Sequence, residues 1–361
     1  MNRVKTLVVG VGALGRHHAR ILNGFEDVDL IAVADPSPVN GPKAAESLGT
    51  QWVEDYRSVI DQCDAVSIAA PTFLHEQVAT DFLARSIPVL VEKPLTSNVA
   101  SAQRLVDLAY SHKTTLQVGH IERFNPAYME FAKRCAQPKY LKVERCSPFA
   151  FRSMDIGVVH DVMIHDIELL LNVTQCQPIG VEAFGVAVTG DFEDLVQARF
   201  YFPNGCVADV SASRFHPEAK RVWSGWSANG CCHADLQTRK LTDYQLSAAD
   251  LPRRSLIAQA SMNGIDLEIL KESLFGEFVK VESPEFEPCD QLTDELRNFI
   301  HAVKKNDKPR VTGNHALEAL KLADRVLESV KSHAWAPGDD LFRGPVPQEW
   351  SPQIGQRFKA A

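Results

Sequence analysis

The sequence lacks the features of a membrane-spanning, secreted or zinc-binding protein. No run approaches the ~18 uninterrupted apolar residues of a membrane-spanning helix. The first residues, Met1–Lys5, lead directly into an apolar strand pattern without a signal-peptide region. None of the eight cysteines forms a Cys-x-x-Cys pair or a zinc-type spacing, so we expect reduced thiols rather than a metal site or disulfides. These absences predict a cytoplasmic protein with no membrane partner.

An excess of positive charge is also missing. The formal net charge of -8 at pH 7 argues against a nucleic acid or an anionic membrane as partner, although a local basic pocket for a phosphorylated substrate stays compatible with it. No internal repeat or low-complexity tract is present. At 361 residues the chain exceeds what one hydrophobic core usually serves, so two domains are expected.

The first turn of the chain has the pattern of a dinucleotide-binding loop. Val4–Val9 is a predicted strand, and Gly10–Gly15, with the sequence GVGALG, leads from it into a predicted helix. Gly10 allows a tight turn, Gly12 lets the backbone approach a pyrophosphate, and Gly15 permits close packing of the helix on the strand. The rest of the loop, including Ala13 and Leu14, would face the phosphates at the helix N-terminus.

An acidic residue follows the second predicted strand, Leu30–Ala34. Asp35 comes 20 residues after Gly15, where a carboxylate accepts hydrogen bonds from the adenosine ribose and repels a 2′-phosphate. The sequence therefore predicts NAD, in preference to NADP, as the cofactor. The alternative is a glycine-rich turn in some other α/β protein.

Three more predicted strands end in loops with polar residues. They are Ala65–Ala70, followed by Pro71, Thr72 and His75; Val89–Val91, followed by Glu92 and Lys93; and Thr115–Val118. Ligands collect at the carboxyl ends of parallel strands, so we expect these loops to line one crevice. Lys93 would hydrogen-bond a substrate hydroxyl or the nicotinamide ribose, unless it is a solvated surface lysine. His75 would either help to hold the cofactor or cap a helix.

A second candidate site lies inside an apolar helical pattern in the middle of the chain. Asp161 and His165 are four residues apart, which places them within about 40° on one face of an α-helix. His165 would act as general base and Asp161 would orient it. Ordinary solvated residues are one alternative. A metal site is another, but His160 and His165 would lie about 140° apart on an α-helix, which argues against it.

From about residue 123 the alternation of strands and helices stops and a second domain is expected. Its predicted strands point to an antiparallel sheet with one solvated or partner-covered face. They are Tyr140–Val143, Ile179–Val188, Asp194–Phe202, Cys206–Ser213 and Val222–Ala228, and the predicted helices are Asp290–Lys304 and Ala316–Ser332. Arg123 and Arg152 are candidates for binding a phosphate or carboxylate, or for surface salt bridges.

Taken together, these motifs resemble those of the glucose-fructose oxidoreductase and inositol dehydrogenase (Gfo/Idh/MocA) family. The resemblance runs in order from about residue 4 to about residue 332. It rests on the glycine loop with His18, Ala70-Pro71-Thr72 with His75, Glu92-Lys93-Pro94, Arg123-Phe124-Asn125-Pro126, Asp161 with His165, and Leu292–Ile300. The Glu-Lys-Pro and Asp-x-x-x-His pair is specific to the family, whereas the glycine loop is not.

The resemblance implies an α/β protein with an N-terminal Rossmann domain and a C-terminal α/β domain built on an open, mostly antiparallel sheet. We expect boundaries at 1–122 and 123–333 and a tail over 334–361. It further implies NAD-dependent oxidation of a sugar or polyol hydroxyl, with Lys93, Asp161 and His165 as the catalytic set, and a homodimer or homotetramer formed through the C-terminal sheet. Loop residues at positions 71, 72, 75, 92 and 93 would help to bind the cofactor.

Within the family, the segment from Gly119 to Pro126 looks most like that of members that oxidise the 3-hydroxyl of UDP-N-acetylglucosamine. Arg123, Asn125 and Arg152 would then contact a nucleotide-sugar substrate. An inositol or simple aldose dehydrogenase is the alternative enzyme. A protein that binds NAD without turnover, as a sensor or scaffold, is the alternative from another class.

Overall fold

The computed structural model describes residues 3–151, 156–190, 192–246, 268 and 279–333, and the chain divides into two compact units. The first unit comprises Met1–Phe124 and Pro288–Leu322, and the second comprises Asn125–Glu287 and Ala323–Ala361. The boundaries expected from the sequence differ from this division, because residues 288–322 return to the first unit. The expected tail over 334–361 lies outside the described residues.

The first unit is built on a six-stranded sheet in which every neighbouring pair is parallel. The strand order β3-β2-β1-β4-β5-β6 changes direction between β1 and β4, as in dinucleotide-binding sheets. The elements are β1 (Val4–Val9), α1 (Gly15–Asn23), β2 (Val28–Ala34), α2 (Asn40–Leu48), β3 (Gln51–Val53), β4 (Ala65–Ile68), α3 (Thr72–Leu83), β5 (Val89–Glu92), α4 (Val99–Ser111) and β6 (Leu116–Gly119). All of β4 is buried, as expected when helices cover both faces of a parallel sheet.

A helix from late in the chain completes the first unit. Helices α5 (Pro126–Arg134) and α6 (Ile164–Thr174) belong to the second unit. The next described helix, α7 (Gln291–Lys305), packs its apolar face into the core around α1. Leu296 and Phe299 of α7 are buried with Leu22 and Phe25 in one cluster. This burial explains why residues 288–322 belong to the first unit.

Charged groups at the rim reinforce this packing. The Arg297 guanidinium lies over the Phe25 ring, 3.5 Å from its centroid, and its Nη1 is 2.6 Å from Asp27 Oδ1. The hydrogen bond from Lys304, together with that from Arg297, lowers the pKa of Asp27 to about 2. These contacts are partly exposed, so they add to the apolar packing rather than replace it.

The second unit contains an eight-stranded sheet in the order β14-β13-β12-β11-β7-β10-β9-β8. Its pairs are antiparallel except β7 with β10, which are parallel. The strands are β7 (Tyr140–Cys146), β8 (Gly180–Val186), β9 (Leu195–Tyr201), β10 (Val207–Ser213), β11 (Lys220–Ser227), β12 (Gly230–Asp235), β13 (Lys240–Leu246) and β14 (Val279–Glu282). The expectation of a mostly antiparallel sheet is confirmed.

Among the described residues, one face of this sheet is covered and the other is open. Leu141 and Val143 of β7 are buried, whereas Tyr140 before them and Lys142 between them are not. Helix α5 covers the buried face, where the Tyr128 ring meets the Trp223 ring edge-on at 5.7 Å. The last described helix, α8 (Gly313–Ser332), has its first half in the first unit and its second half in the second.

Helix α7 also buries an acidic residue. Glu295 is fully buried, and neither of its carboxyl oxygens has a hydrogen-bond partner among the described residues. Burial, and then the negative charge of Glu92, raise the pKa of Glu295 well above its usual value. The neutral acid is therefore favoured in the folded protein, and folding raises the proton affinity of Glu295.

Replacing Glu295 with Gln should therefore stabilise the protein. Above the unfolded pKa, wild-type folding must protonate Glu295, at about 1.4 kcal/mol per pH unit up to the folded pKa, and glutamine removes this cost. We expect the variant to have a higher Tm at pH 8, by about 2–4 °C per kcal/mol, and a smaller advantage near pH 5. Calorimetry across this range measures it. The exposed Glu46→Gln serves as control, and a pH-independent or negative difference for Glu295→Gln would contradict the assignment.

Candidate active site

The glycine loop between β1 and α1 has the conformation that a phosphate-binding loop needs. Gly10 has φ +85°, and a Cβ there would lie 2.8 Å from the Ala69 carbonyl oxygen. At Gly15 a Cβ would overlap the Gly10 carbonyl oxygen. A Cβ on Gly12 would meet nothing within 4 Å, so the backbone there is open to a ligand. The three glycines thus have the geometry expected of them.

Asp35, at the end of β2, fixes this loop. Its Oδ2 accepts a hydrogen bond from Val11 N at 2.8 Å, and its Oδ1 accepts one from Ser37 N, also at 2.8 Å. Each carboxylate oxygen can accept a further bond, so Asp35 can still receive the two hydroxyls of an adenosine ribose. The loop and this carboxylate together fit the adenosine diphosphate half of NAD.

Lys93 follows β5, and a chain of buried hydrogen bonds holds the residue before it. His18 Nε2 lies 3.0 Å from Glu92 Oε1, and His18 Nδ1 lies 2.8 Å from Ser67 Oγ. A carboxylate only accepts, so His18 donates to Glu92 through Nε2. Burial raises the pKa of Glu92, but the hydrogen bond and charge of His18 outweigh it, and the net shift is downward.

The side chain of Glu92 is therefore held as a carboxylate by α1. A Cβ on Gly119 of β6 would come within 2.9 Å of Glu92 Oε2, so the glycine provides the space for this side chain. Sequence reasoning expected Glu92 to help bind the cofactor and gave His18 no role. A histidine on the buried face of α1 was the available signal, because a buried ionisable group needs a partner.

His75 holds two strand-end loops together. The side chain is 1% exposed, with Nδ1 3.0 Å from the Pro94 carbonyl oxygen and Nε2 2.8 Å from that of Ala70. Burial lowers the pKa of His75. Helix α3 begins at Thr72 with Pro71 as N-cap residue and no side-chain cap, so His75 is not a helix cap. It acts on the Lys93-Pro94 turn through the backbone.

The segment with Asp161 and His165 starts as a π-helix. This helix spans Val159–Met163, and α6 continues from Ile164. The α-helical geometry expected from the sequence is therefore wrong over the first turn. Asp161 lies within the π turn, His165 is the second residue of α6, and both side chains are half-buried. Single π turns often occur at functional sites, because the extra residue redirects the side chains.

The sequence-based argument that His160 and His165 lie about 140° apart assumed an α-helix. It does not hold in a π turn, where residues five apart come together. His160 is engaged elsewhere: its Nε2 lies 3.3 Å from Asp324 Oδ1 on α8. Within the described residues, no group of three or more side chains could hold a metal ion. None of the described helices combines the length and apolar character needed to cross a bilayer.

The three predicted substrate-binding residues have different environments. Arg123 lies in a 3-10 turn, Ile121–Phe124, and is 9% exposed. Arg152 lies outside the described residues. Asn125 is fully buried: its Oδ1 accepts from Ala127 N at 3.1 Å, and its Nδ2 donates to Leu236 O at 2.8 Å. Asn125 is thus the N-cap of α5, and its burial does not support the predicted substrate contact.

Positive charge is concentrated near Arg123. Arg310 donates through Nη1 to the Arg123 carbonyl at 3.2 Å, and Arg123 donates through Nη2 to the Arg310 carbonyl at 3.4 Å. Burial, and then the charge of Arg123, lower the pKa of Arg310. Burial also lowers the pKa of His120 to about 3, and the charges that act in the same direction are those of Lys93, Arg123 and His315.

The sequence did not indicate this cationic cluster, formed by Lys93, Arg123 and Arg310. Arg310 comes from a segment that is distant along the chain. The arrangement of the cluster around the ends of β5 and β6 favours an anionic ligand on the first unit.

Comparison with protein families covers both units. Residues 4–120 match the oxidoreductase family with an NAD-binding Rossmann fold, GFO_IDH_MocA. Residues 133–228 match the GFO/IDH/MocA C-terminal domain.

Individual relatives are dehydrogenases. The UDP-N-acetylglucosamine 3-dehydrogenase of Acidithiobacillus ferrooxidans is 34% identical over 255 residues, which cover 70% of this chain and 80% of that protein. A solved structure of this enzyme has a TM-score of 0.79 at 30% identity, covering 92% of this chain and 98% of that one. The NAD-dependent scyllo-inositol 2-dehydrogenase of Bacillus subtilis is 28% identical over 60% of this chain and 69% of that protein.

Replacing Asp35 with Ser should weaken NAD binding and reduce discrimination against NADP. The substitution removes a charged acceptor, which is typically worth about 1.5–3 kcal/mol, and so we expect an increase of roughly 10- to 100-fold in the Kd for NAD. Loss of the carboxylate also removes repulsion of a 2′-phosphate, so the Kd for NADP should fall. Calorimetric titration measures both constants.

The control is Asp29→Asn, which changes an exposed carboxylate on the same strand. Equal weakening of NAD and NADP binding by Asp35→Ser would mean that Asp35 only supports the loop.

Proposed function

Because the chain belongs to the Gfo/Idh/MocA family of NAD-dependent oxidoreductases, we propose that it oxidises a hydroxyl of a nucleotide sugar, with UDP-N-acetylglucosamine as substrate and its 3-hydroxyl as the reacting group. The observation that carries this proposal is the similarity to the UDP-N-acetylglucosamine 3-dehydrogenase over most of both chains.

In the proposed reaction Lys93, Asp161 and His165 form the catalytic set. His165 takes the proton of the reacting hydroxyl as general base, and Asp161 assists and orients the imidazole. Lys93 polarises the hydroxyl and stabilises negative charge on its oxygen. NAD, when bound at the glycine loop and Asp35, supplies the acceptor for the hydride that leaves the same carbon. The substrate thus loses one proton and one hydride and becomes a ketone.

The cationic cluster supports a nucleotide sugar over a free sugar. Arg123 and Arg310 lie close enough for each to donate to the other's carbonyl, and burial, followed by the charge of Arg123, lowers the pKa of Arg310. A diphosphate offers paired acceptors that suit guanidinium groups. Arg152 is proposed as a further phosphate contact.

An inositol dehydrogenase is the second candidate, because the scyllo-inositol 2-dehydrogenase is also similar. An inositol has neither the phosphates nor the nucleotide of UDP-N-acetylglucosamine. A cytoplasmic location is proposed as well, since the described cysteines form no disulfide and so fit a reducing compartment.

The purified protein should reduce NAD when UDP-N-acetylglucosamine is added, measured as absorbance at 340 nm. His165→Ala should lower kcat by about 10²- to 10⁴-fold, the usual contribution of a general base, with the Kd for NAD unchanged. His160→Ala is the matched control, since it removes the neighbouring histidine that contacts Asp324, and it should retain activity.

Three results would contradict the proposal. Faster turnover of an inositol would favour the second candidate. Binding of NADH without turnover of any sugar would favour a sensor or scaffold. Full activity of His165→Ala would show that His165 is not the general base.

We also propose that the open face of the eight-stranded sheet forms the contact of a homodimer or homotetramer. Rings on adjacent strands follow one another across this face, although solvated sheet faces are usually polar. Tyr140 stacks on Trp226 at 5.2 Å, Trp226 meets His233 edge-on at 5.7 Å, and His233 meets Tyr244 at 5.8 Å. Half-exposed aromatic residues of this kind are typical of interfaces.

Replacing Trp226 with Glu should convert the oligomer into a monomer, because a carboxylate would be buried in the contact. Light scattering after size-exclusion chromatography measures the mass, and circular dichroism verifies folding. Phe73→Glu changes an aromatic residue of α3 that is 74% exposed and should leave the mass unchanged. A monomeric wild type, or a folded Trp226→Glu variant of unchanged mass, would contradict the proposed contact.

A further inference from the structure

A buried ion pair lies directly after His165. Asp166 is 1% exposed and receives two bonds from Arg145 of β7, Nε to Oδ2 at 2.6 Å and Nη2 to Oδ1 at 2.9 Å. Trp223 of β11 donates through Nε1 to Asp166 Oδ1 at 3.1 Å. Two strands of the sheet therefore hold the first turn of α6 through one carboxylate.

A second buried pair lies before the π turn. Arg214, just after β10, donates through Nε to Asp194 Oδ1 at 2.7 Å and through Nη1 to the Ile156 carbonyl at 2.6 Å. Asp194 is fully buried. The adjacent Glu193 accepts through Oε1 from Val159 N at 3.2 Å, where the π-helix begins. The segment is thus fixed at one end by a sheet strand and at the other by residues that flank β9 and β10.

Stability alone does not account for these pairs. Apolar residues of similar volume often serve a buried site as well as an ion pair does, because charges are costly to remove from water. A bidentate arginine–carboxylate pair does what apolar packing does not, since it fixes the direction of both groups. A π turn is rare, occurs mostly as a single turn within an α-helix, and is frequent at functional sites.

We propose that Arg145–Asp166 and Arg214–Asp194 are positioning residues, which hold the π turn so that Asp161 and His165 point in the direction required for proton transfer. The inference rests on the proposed function of Asp161 and His165. Neither pair contacts substrate in this account, and both act through the backbone of residues 156–166.

The test compares Asp166→Asn with Asp209→Asn. Asp209 forms a similar bidentate pair with Arg199 in the same sheet, at 2.6 and 2.9 Å, but on the open face and without contact to the π turn. Asp166→Asn should lower kcat by about 10- to 100-fold, as a misplacement near 1 Å does, and leave the KM for NAD within about twofold. Asp209→Asn should match wild type in both.

A double variant separates position from stability. Arg145→Met with Asp166→Leu replaces the pair with apolar groups of similar volume and removes the acceptor of Trp223 Nε1. Its Tm should fall less than that of Asp166→Asn, which leaves the buried charge of Arg145 without its carboxylate. Its kcat should stay as low as that of Asp166→Asn. If the double variant regains wild-type kcat, or if folded Asp166→Asn keeps it, the pair is only structural and the proposal is overturned.

A measurement that does not depend on turnover separates the test of the positioning role from the test of the proposed function. The imidazole signals of His165, assigned by their loss in His165→Ala, should shift in NMR spectra of Asp166→Asn and not of Asp209→Asn. A wild type that turns over no sugar refutes the proposed function, whereas the spectra still decide whether the pair positions His165. Unchanged His165 signals in Asp166→Asn would overturn the positioning role.

Discussion

A charge that leaves water must find a partner, and in this protein the residues beside the proposed catalytic groups meet that constraint. Glu92, before Lys93, is held by His18, and Asp166, after His165, is held by Arg145. In each case the buried partner comes from another element of the same unit. A buried, hydrogen-bonded charge is costly, but it fixes the direction of the neighbouring side chain. Packing of apolar residues alone would leave that direction less defined.

The contrast with Glu295 shows what the same constraint does when no partner exists among the described residues. Glu92 keeps its charge because His18 donates to it, whereas Glu295 lies nearby, without such a donor, and favours its neutral form. The pKa values of the two neighbouring carboxyl groups are therefore shifted in opposite directions, that of Glu92 downward and that of Glu295 upward. A neutral Glu295 avoids a second negative charge beside Glu92.

Sequence reasoning worked best where the signal was local. The glycine loop and Asp35 could be read from one βαβ unit, because the spacing of strand, turn and helix fixes their geometry. The return of residues 288–322 to the first unit was missed, since an amphipathic helix does not show which core it covers. The π turn was also missed, because its apolar pattern is the same as that of an α-helix. What distinguishes the two is contacts from strands that are distant along the chain. Arg310 and Asn125 illustrate the same limit: their partners, Arg123 and Leu236, are 187 and 111 positions away.

The charge on the first unit bears on substrate identity in a way that the fold does not. One fold can carry many activities, so architecture alone does not select a substrate. Burial lowers the pKa of Arg310, and the charge of Arg123 lowers it further. A diphosphate placed near both guanidinium groups would interact favourably with their charges, whereas a neutral polyol would not. The cluster therefore favours a phosphorylated substrate on grounds independent of sequence similarity.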